Sequence, residues 1–422
     1  MPCLIPPGDF ATDLPYLTIP MLFPFLPVGE RSWMGRSQGG LMSGWRRLLE
    51  EESEHQWLSF AVFTILVITG AVLIDWSNEL SGVHQGGQMN ADGIIYDSAG
   101  DAIMYQAESG MRISHNELDN SAQYATCLEQ YKSYTFACTG QEGSILIIEE
   151  GSPDCEAEWC SLQIGEGITA NHVSMNDFAL LMVVQDGASD SLAAMSILDS
   201  SPSPLVTEHE GNMHLDTMLA TNDGWLVGGS WQAPANWLGS NPASPPMFEL
   251  VLSVTWDGIT VPSIEIIHMG DEGTIHGIFE VEDGFIATGT ADTIKINADG
   301  ATSMGISSYA AVGDNNDNVW LFGNIGSSTV AVISDDDVDV EKLPEPLKFV
   351  PTHVSCDDDG MISVHGINGD ESPGAISIDS NARSSFTSLR GILDLGFILV
   401  SLMIMSIMAW NVTDAIRKGQ VF

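Results

Sequence analysis

DGFIATGT, Asp283 to Thr290, is a two-residue turn signal followed by a short β run that closes on Gly289. An Asp-Gly pair favours a tight hairpin turn, and the apolar residues behind it suit a buried strand. The unit recurs as DGWLVGGS (Asp223 to Ser230), DNVWLFGN (Asp317 to Asn324) and DGMISVHG (Asp359 to Gly366). The closing glycines Gly229, Gly289, Gly323 and Gly366 are 60, 34 and 43 residues apart. Repeats of about 40–50 residues hold about four strands each.

Thirteen Lys or Arg stand against 57 Asp or Glu in 422 residues, a formal charge of −44. Nucleic acid needs a basic footprint, so it is excluded as a partner. The same charge opposes a domain lying flat on anionic lipid. A heavily carboxylated surface serves solubility first.

Residues 1–41 hold seven prolines and no helical or strand period, and read as a Pro-rich disordered N-terminus. Residues 42–57 set Trp45, Leu48, Leu49 and Trp57 among charges, as in an amphipathic juxtamembrane helix. Leu58 to Ile74 carries no charge, and Trp57 and Trp76 flank it, so 58–76 is expected to cross a membrane. Leu395 to Trp410 is a second uncharged run, which gives a second span over 391–411 and a tail over 412–422. Arg46, Arg47, Arg417 and Lys418 lie beyond the outer ends of the two runs. The positive-inside rule then makes both termini cytoplasmic and 77–390 external, on a two-pass protein of the plasma membrane. That external region holds 47 acidic and 7 basic residues, a formal −40.

Residues 77–390 show short β runs and no sustained 3.6-residue period. About 310 residues at about 43 per unit give seven units, with six or eight as neighbouring counts. The expected fold is an all-β, seven-bladed β-propeller flanked by two transmembrane helices. A pair of β-sandwiches is the runner-up. The provisional blades are 90–115, 120–150, 165–200, 210–262, 263–303, 304–345 and 346–388. Closing such a ring makes residues near Val83 and near Ile378 neighbours. The turn–strand–Gly unit resembles those of the β-propeller repeat families, quinoprotein-like and WD-like. One Trp-Asp pair, Trp256-Asp257, stands at a strand end, and no recurring tryptophan motif is present. The resemblance implies the fold and no cofactor. The acid-rich, lysine-poor composition resembles that of archaeal surface proteins from saline water.

Histidine recurs close before the repeated motif or its kin: His172 in HVSMND, His214, His276, and His353 in HVSCDD. One use is a ring of imidazoles at the channel mouth, holding a metal or responding to pH. The favoured use is structural, with each His tying one blade to the next. Asp-rich loops, among them Asp314 and Asp317, invite Ca²⁺ but lack the twelve-residue calcium loop pattern, and solvated turns are the expected use. No resident metal is therefore assigned. Cys127, Cys138, Cys155 and Cys160 cluster within 34 residues, and local disulfides 127–138 and 155–160 are favoured outside the cell. No nucleophile elbow, phosphate loop or dinucleotide fingerprint is present. The expected role is a membrane-tethered module that binds a protein partner or surface polysaccharide without chemistry. The rivals are an accessory subunit of a membrane complex and an enzyme with carboxylates or His at the central channel.

With about −40 on one region, screening should stabilise the fold, because the Debye length falls from about 10 Å at 0.1 M salt to about 3 Å at 1 M. The melting temperature is expected to rise between 50 mM and 1 M KCl. A flat or falling value would show that the carboxylates stand too far apart to repel.

Overall fold

The computed structural model describes residues 63–70, 79–87, 93–115, 118–121, 125–149, 159–186, 189–196, 203–205, 211–234, 245–257, 259, 261–334, 337–385 and 395–406, with isolated positions 410 and 417. Residues Leu66–Phe422 form one unit, and of the unit before it, Met1–Ile65, only 63–65 are described.

Twenty-eight strands pair into seven four-stranded antiparallel sheets. These are the blades of a β-propeller, and in chain order they span 94–121, 127–163, 170–205, 212–272, 275–303, 310–342 and 349–379. Each begins with its innermost strand: Ile94–Ala99, Cys127–Tyr131, Ala170–Met175, Asn212–Thr221, Ile275–Val281, Ala310–Gly313 and Phe349–Cys356. The repeated motif is the second strand, as in Gly284–Gly289 of blade 5 and Met361–Asn368 of blade 7.

The closing glycine of the motif has a steric cause. In blades 4, 5 and 7 the innermost strand bulges where it faces that glycine: Leu215 pairs with Gly229, Ile275 with Gly289, and Pro351 with Gly366. A Cβ at Gly229 would stand 2.0 Å from the His214 carbonyl oxygen, and one at Gly366 2.1 Å from that of Val350. No side chain fits there. Blades 1 and 3 carry the same bulge, at Ile95/Asp97 and Ala170/His172, opposite Tyr105 and Val184.

Blade 7 borrows its outermost strand from the start of the ring. Val83–Gln85 pairs with Pro373–Asp379, with Val83 opposite Ile378 as the closed-ring reading requires. The Gly86 amide donates to the Ala375 carbonyl at 3.0 Å and the Asp379 amide to that of Gly82 at 3.1 Å. Just before, the Leu80 amide donates to the Lys342 carbonyl of blade 6. Buried apolar clusters fill six of the seven blade interfaces. Among the described residues none lies between blades 7 and 1, where blade 7 presents buried Ser363, His365 and Ser377.

The provisional blade boundaries need correction. Leu118–Ser121 closes blade 1, Cys160–Gln163 closes blade 2, and Ser263–Glu272 closes blade 4 rather than opening blade 5. Outermost strands carry a weak pattern because solvent covers one side, and Ser263–Glu272 is exposed or half-buried throughout. Of the two expected spans, 63–70 and 395–406 are helical, and the rest lies outside the described residues apart from Trp410. No helix among the described residues is long and apolar enough to cross a membrane. Within each helix one stripe is half-buried, Phe63, Val67 and Gly70 in the first and Phe397, Ser401 and Ile404 in the second. A Cβ at Gly70 would stand 2.4 Å from Phe397 Cε2, so the two helices meet at that glycine.

Cross-strand residues directly opposite in an antiparallel pair lie about 4.5–5.5 Å apart at Cα. His84 faces Ser377 in that register. The double variant His84→Cys/Ser377→Cys is expected to form an intramolecular disulfide, read by non-reducing mass spectrometry. Two free thiols after mild oxidation would contradict closure through this strand.

Candidate binding site in the central channel

One level of all seven innermost strands surrounds a cavity of about 500 Å³ on the ring axis. A bulge turns an extra residue out of the ladder and re-aims side chains. Here that brings Tyr96, Asp216, His276 and Thr352 to the cavity wall, with Asp97, His172 and His353 beside the bulges.

Three of the four sequence-predicted histidines, His172, His276 and His353, therefore line one cavity, while His214 lines an adjoining one. Two of them also bridge blades. His276 Nε2 lies 3.0 Å from the Ser308 carbonyl oxygen, just ahead of blade 6. His353 Nε2 lies 2.8 Å from Ser98 Oγ in blade 1. Burial disfavours the imidazolium and pushes His172 and His276 down, and His353 down to about 3, with His365 adding to the last effect.

The sequence reading missed three carboxylates on the same wall, Asp97, Glu129 and Asp216. Each takes a hydrogen bond from the next blade. The Leu128 amide donates to Asp97 at 2.7 Å, Ser174 Oγ to Glu129 at 3.2 Å, and Thr274 Oγ1 to Asp216 at 2.7 Å. Their signal was a lone acid inside a β run, as in IIYDS and CLEQY, hidden among 57 acidic residues. Burial raises Asp97 to about 6, against the pull of the Leu128 and Ser98 amides. It raises Glu129 to about 8, helped by the Asp97 charge and opposed by Ser174. Asp216 is raised as well, by burial. Asp97 keeps 28% of its side-chain surface exposed, so its carboxyl is not sealed off completely. At neutral pH the wall presents protonated Glu129 and neutral imidazoles, which donate and accept hydrogen bonds.

The remaining candidates lie elsewhere. Asp314 is a turn acceptor, holding the amides of Asn316 and Asn318 and the indole of Trp320. Asp317 takes a left-handed turn conformation with φ 59°. Among the described residues no group of three His, Cys, Asp or Glu could hold a metal ion. Cys127 and Cys138 form a disulfide across the first two strands of blade 2. Cys160 is also disulfide-bonded, and Cys155 lies outside the described residues. Cys356 is free and half-buried, its thiol pushed up to about 11 by burial.

No family model and no curated protein matches the chain. Solved structures similar in fold include an extracellular domain from B. thetaiotaomicron assigned to a one-component system. It is 9% identical with a TM-score of 0.42 over 70% of this chain, and the match spans only 40% of that protein's length. Virginiamycin B lyase from Staphylococcus aureus is 9% identical with a TM-score of 0.46, covering 70% of this chain and 99% of that one. YCF48 from Cyanidioschyzon merolae is 10% identical with a TM-score of 0.45, covering 71% and 100%.

Glu129 gives the site a pH signature. Between its ordinary 4.5 and about 8 it is protonated when folded and ionised when unfolded. The folded chain then holds more protons, so stability falls as pH rises. His353 acts oppositely, adding stability as pH rises from about 3 to its ordinary 6.5. Above pH 6.5 the carboxyl effect stands alone. Stability is expected to drop by about 1–2 kcal/mol between pH 6.5 and 8. Glu129→Gln should flatten that drop in denaturant titrations, and an unchanged slope would show that Glu129 ionises normally.

Proposed function

We propose that this chain is a membrane-tethered external β-propeller that binds a protein partner or surface polymer at its central cavity without transforming it. The observation that carries the binding reading is the cavity itself. It is concave, of ordinary ligand-site volume, and walled by one level of seven strands. The carboxylates on its wall already hold blade-to-blade hydrogen bonds, which suits a rigid receptor.

The tether rests on the two apolar helices. Leu66 and Ile68 in one, and Leu395, Leu399 and Met403 in the other, are more than half exposed. An exposed apolar face of this kind calls for lipid or protein cover. The uncharged sequence continues beyond 63–70 through Leu58 to Ile74. Ring closure brings the chain into and out of the propeller at one blade, so two helices can leave it side by side. Gly70, a small residue of the kind that favours helix assembly, is occupied within the chain by Phe397, which weakens the accessory-subunit reading.

One observation favours the enzyme as second reading. Raised carboxyl pKa values in a cleft are what acid–base chemistry needs, and the Asp97 charge helps raise Glu129 from across a blade boundary. A binding module keeps its ligand intact, whereas an enzyme releases a changed one.

The tether has a direct test. Carbonate-washed membranes are expected to retain the full chain, and protease added to intact cells should cut within 77–390 and spare both termini. Release by carbonate, or protection of the ring, would overturn the external tether.

A further inference from the structure

We propose that the axial cavity and a second cavity beside it form one continuous site for a linear organic cation carrying several amines. This rests on the reading of the cavity as a non-transforming binding site and takes a small cation, rather than a protein or polymer, as its occupant. The second cavity, of about 480 Å³, lies where blade 4 meets blade 5. Ser230, Glu272, Thr274 and Thr290 stand on its wall. Asp216 lines both cavities, on the wall they share.

Charge selects the ligand. Asp97, Glu129, Asp216 and Glu272 face the two spaces, and among the described residues no Lys or Arg lines either. A carboxylate withdrawn from water without a cation is costly, and an ammonium group removes that cost. An anionic ligand would find no partner. The carboxylates come from blades 1, 2 and 4, too dispersed to converge on one metal ion.

A second, independent feature points to an occupant. Ser230 is 0% exposed, and its Oγ has no hydrogen-bond partner among the described residues. It stands on the wall of the second cavity, level with His214 on one strand and Glu249 on the other. Glu249 Oε1 is taken by the Ala291 and Asp292 amides, while its Oε2, like the Ser230 hydroxyl, has no partner among the described residues. Two unsatisfied polar atoms thus stand at facing positions of neighbouring strands behind the second cavity, where one ligand amine could donate to both. Tyr96 and Tyr309, 37% and 46% exposed, stand on the axial wall, where an aromatic ring can attract an ammonium. Two neighbouring spaces that share one carboxylate suit a chain longer than a single amine.

Binding would hold Glu129 and Asp216 ionised. Asp97 and Ser174 face Glu129, while His172, Asp190 and His214 surround Asp216. Protons are therefore released, and affinity rises with pH between about 6 and 8. Calorimetry on the detergent-solubilised full chain at physiological salt would use spermine, putrescine, maltohexaose and citrate. Spermine is expected to bind one to one, about tenfold or more tighter than putrescine, and the neutral and anionic probes not at all. Asp216→Asn should weaken spermine about tenfold. Ser230→Ala should weaken it about fivefold and leave putrescine unchanged, and it carries the test if the Asp216 variant does not fold. Asp358→Asn/Asp359→Asn, on an exposed loop of blade 7, should change nothing. Several spermines per chain, or equal weakening in that loop variant, would show counterion binding to the −44 surface and overturn the site. Maltohexaose binding without spermine would overturn the cation assignment and leave the binding-module reading standing.

Discussion

The pairing of Val83–Gln85 with Pro373–Asp379 turns a row of seven sheets into a ring. An open row would leave the faces of its two end sheets bare to water, and bare faces recruit other chains. Closure covers them and fixes the height of each innermost strand against the next. Everything at the axis depends on that height. The bulges of blades 1, 3, 4, 5 and 7 sit at one level only because the ring holds them there.

The seam that closes the ring differs from the other six interfaces. Those are filled with buried apolar side chains. At the seam Thr352 Oγ1 donates to the Ile95 carbonyl at 2.6 Å and His353 meets Ser98. Hydrogen bonds contribute about 1 kcal/mol each and are directional, whereas apolar burial contributes by area and tolerates sliding. The polar seam therefore gives up adhesive area and sets the angle at which blade 7 meets blade 1. It also places His353 within 4.0 Å of Asp97, tying closure to the cavity wall.

Part of this was legible in the chain itself. The closing glycines Gly229 and Gly366 stand out because a bulge presses on them, and Gly289, which also faces a bulge, because the Glu249 carboxylate does, so the motif that reveals the fold also marks the level of the site. The histidines were found because each innermost strand precedes its motif. In blades 1 and 3 Tyr105 and Val184 face the bulge, no glycine flags it, and those repeats were harder to see. Asp97, Glu129 and Asp216 escaped notice because exposed acids surround them in sequence, and only folding separates an inward carboxylate from an outward one. Outermost strands such as Ser263–Glu272 blurred the blade boundaries because half of each faces water.

Native-state hydrogen exchange on the full chain tests the closed ring most directly. The Gly86 and Asp379 amides bond across the seam strand, and the Leu128 amide reports the interior through Asp97. A ring that depends on its closing strand should release all three only through global unfolding, with one shared free energy and denaturant slope. Exchange of Gly86 and Asp379 orders of magnitude faster than Leu128, with little denaturant dependence, would show a frayed strand on a ring that stands without it.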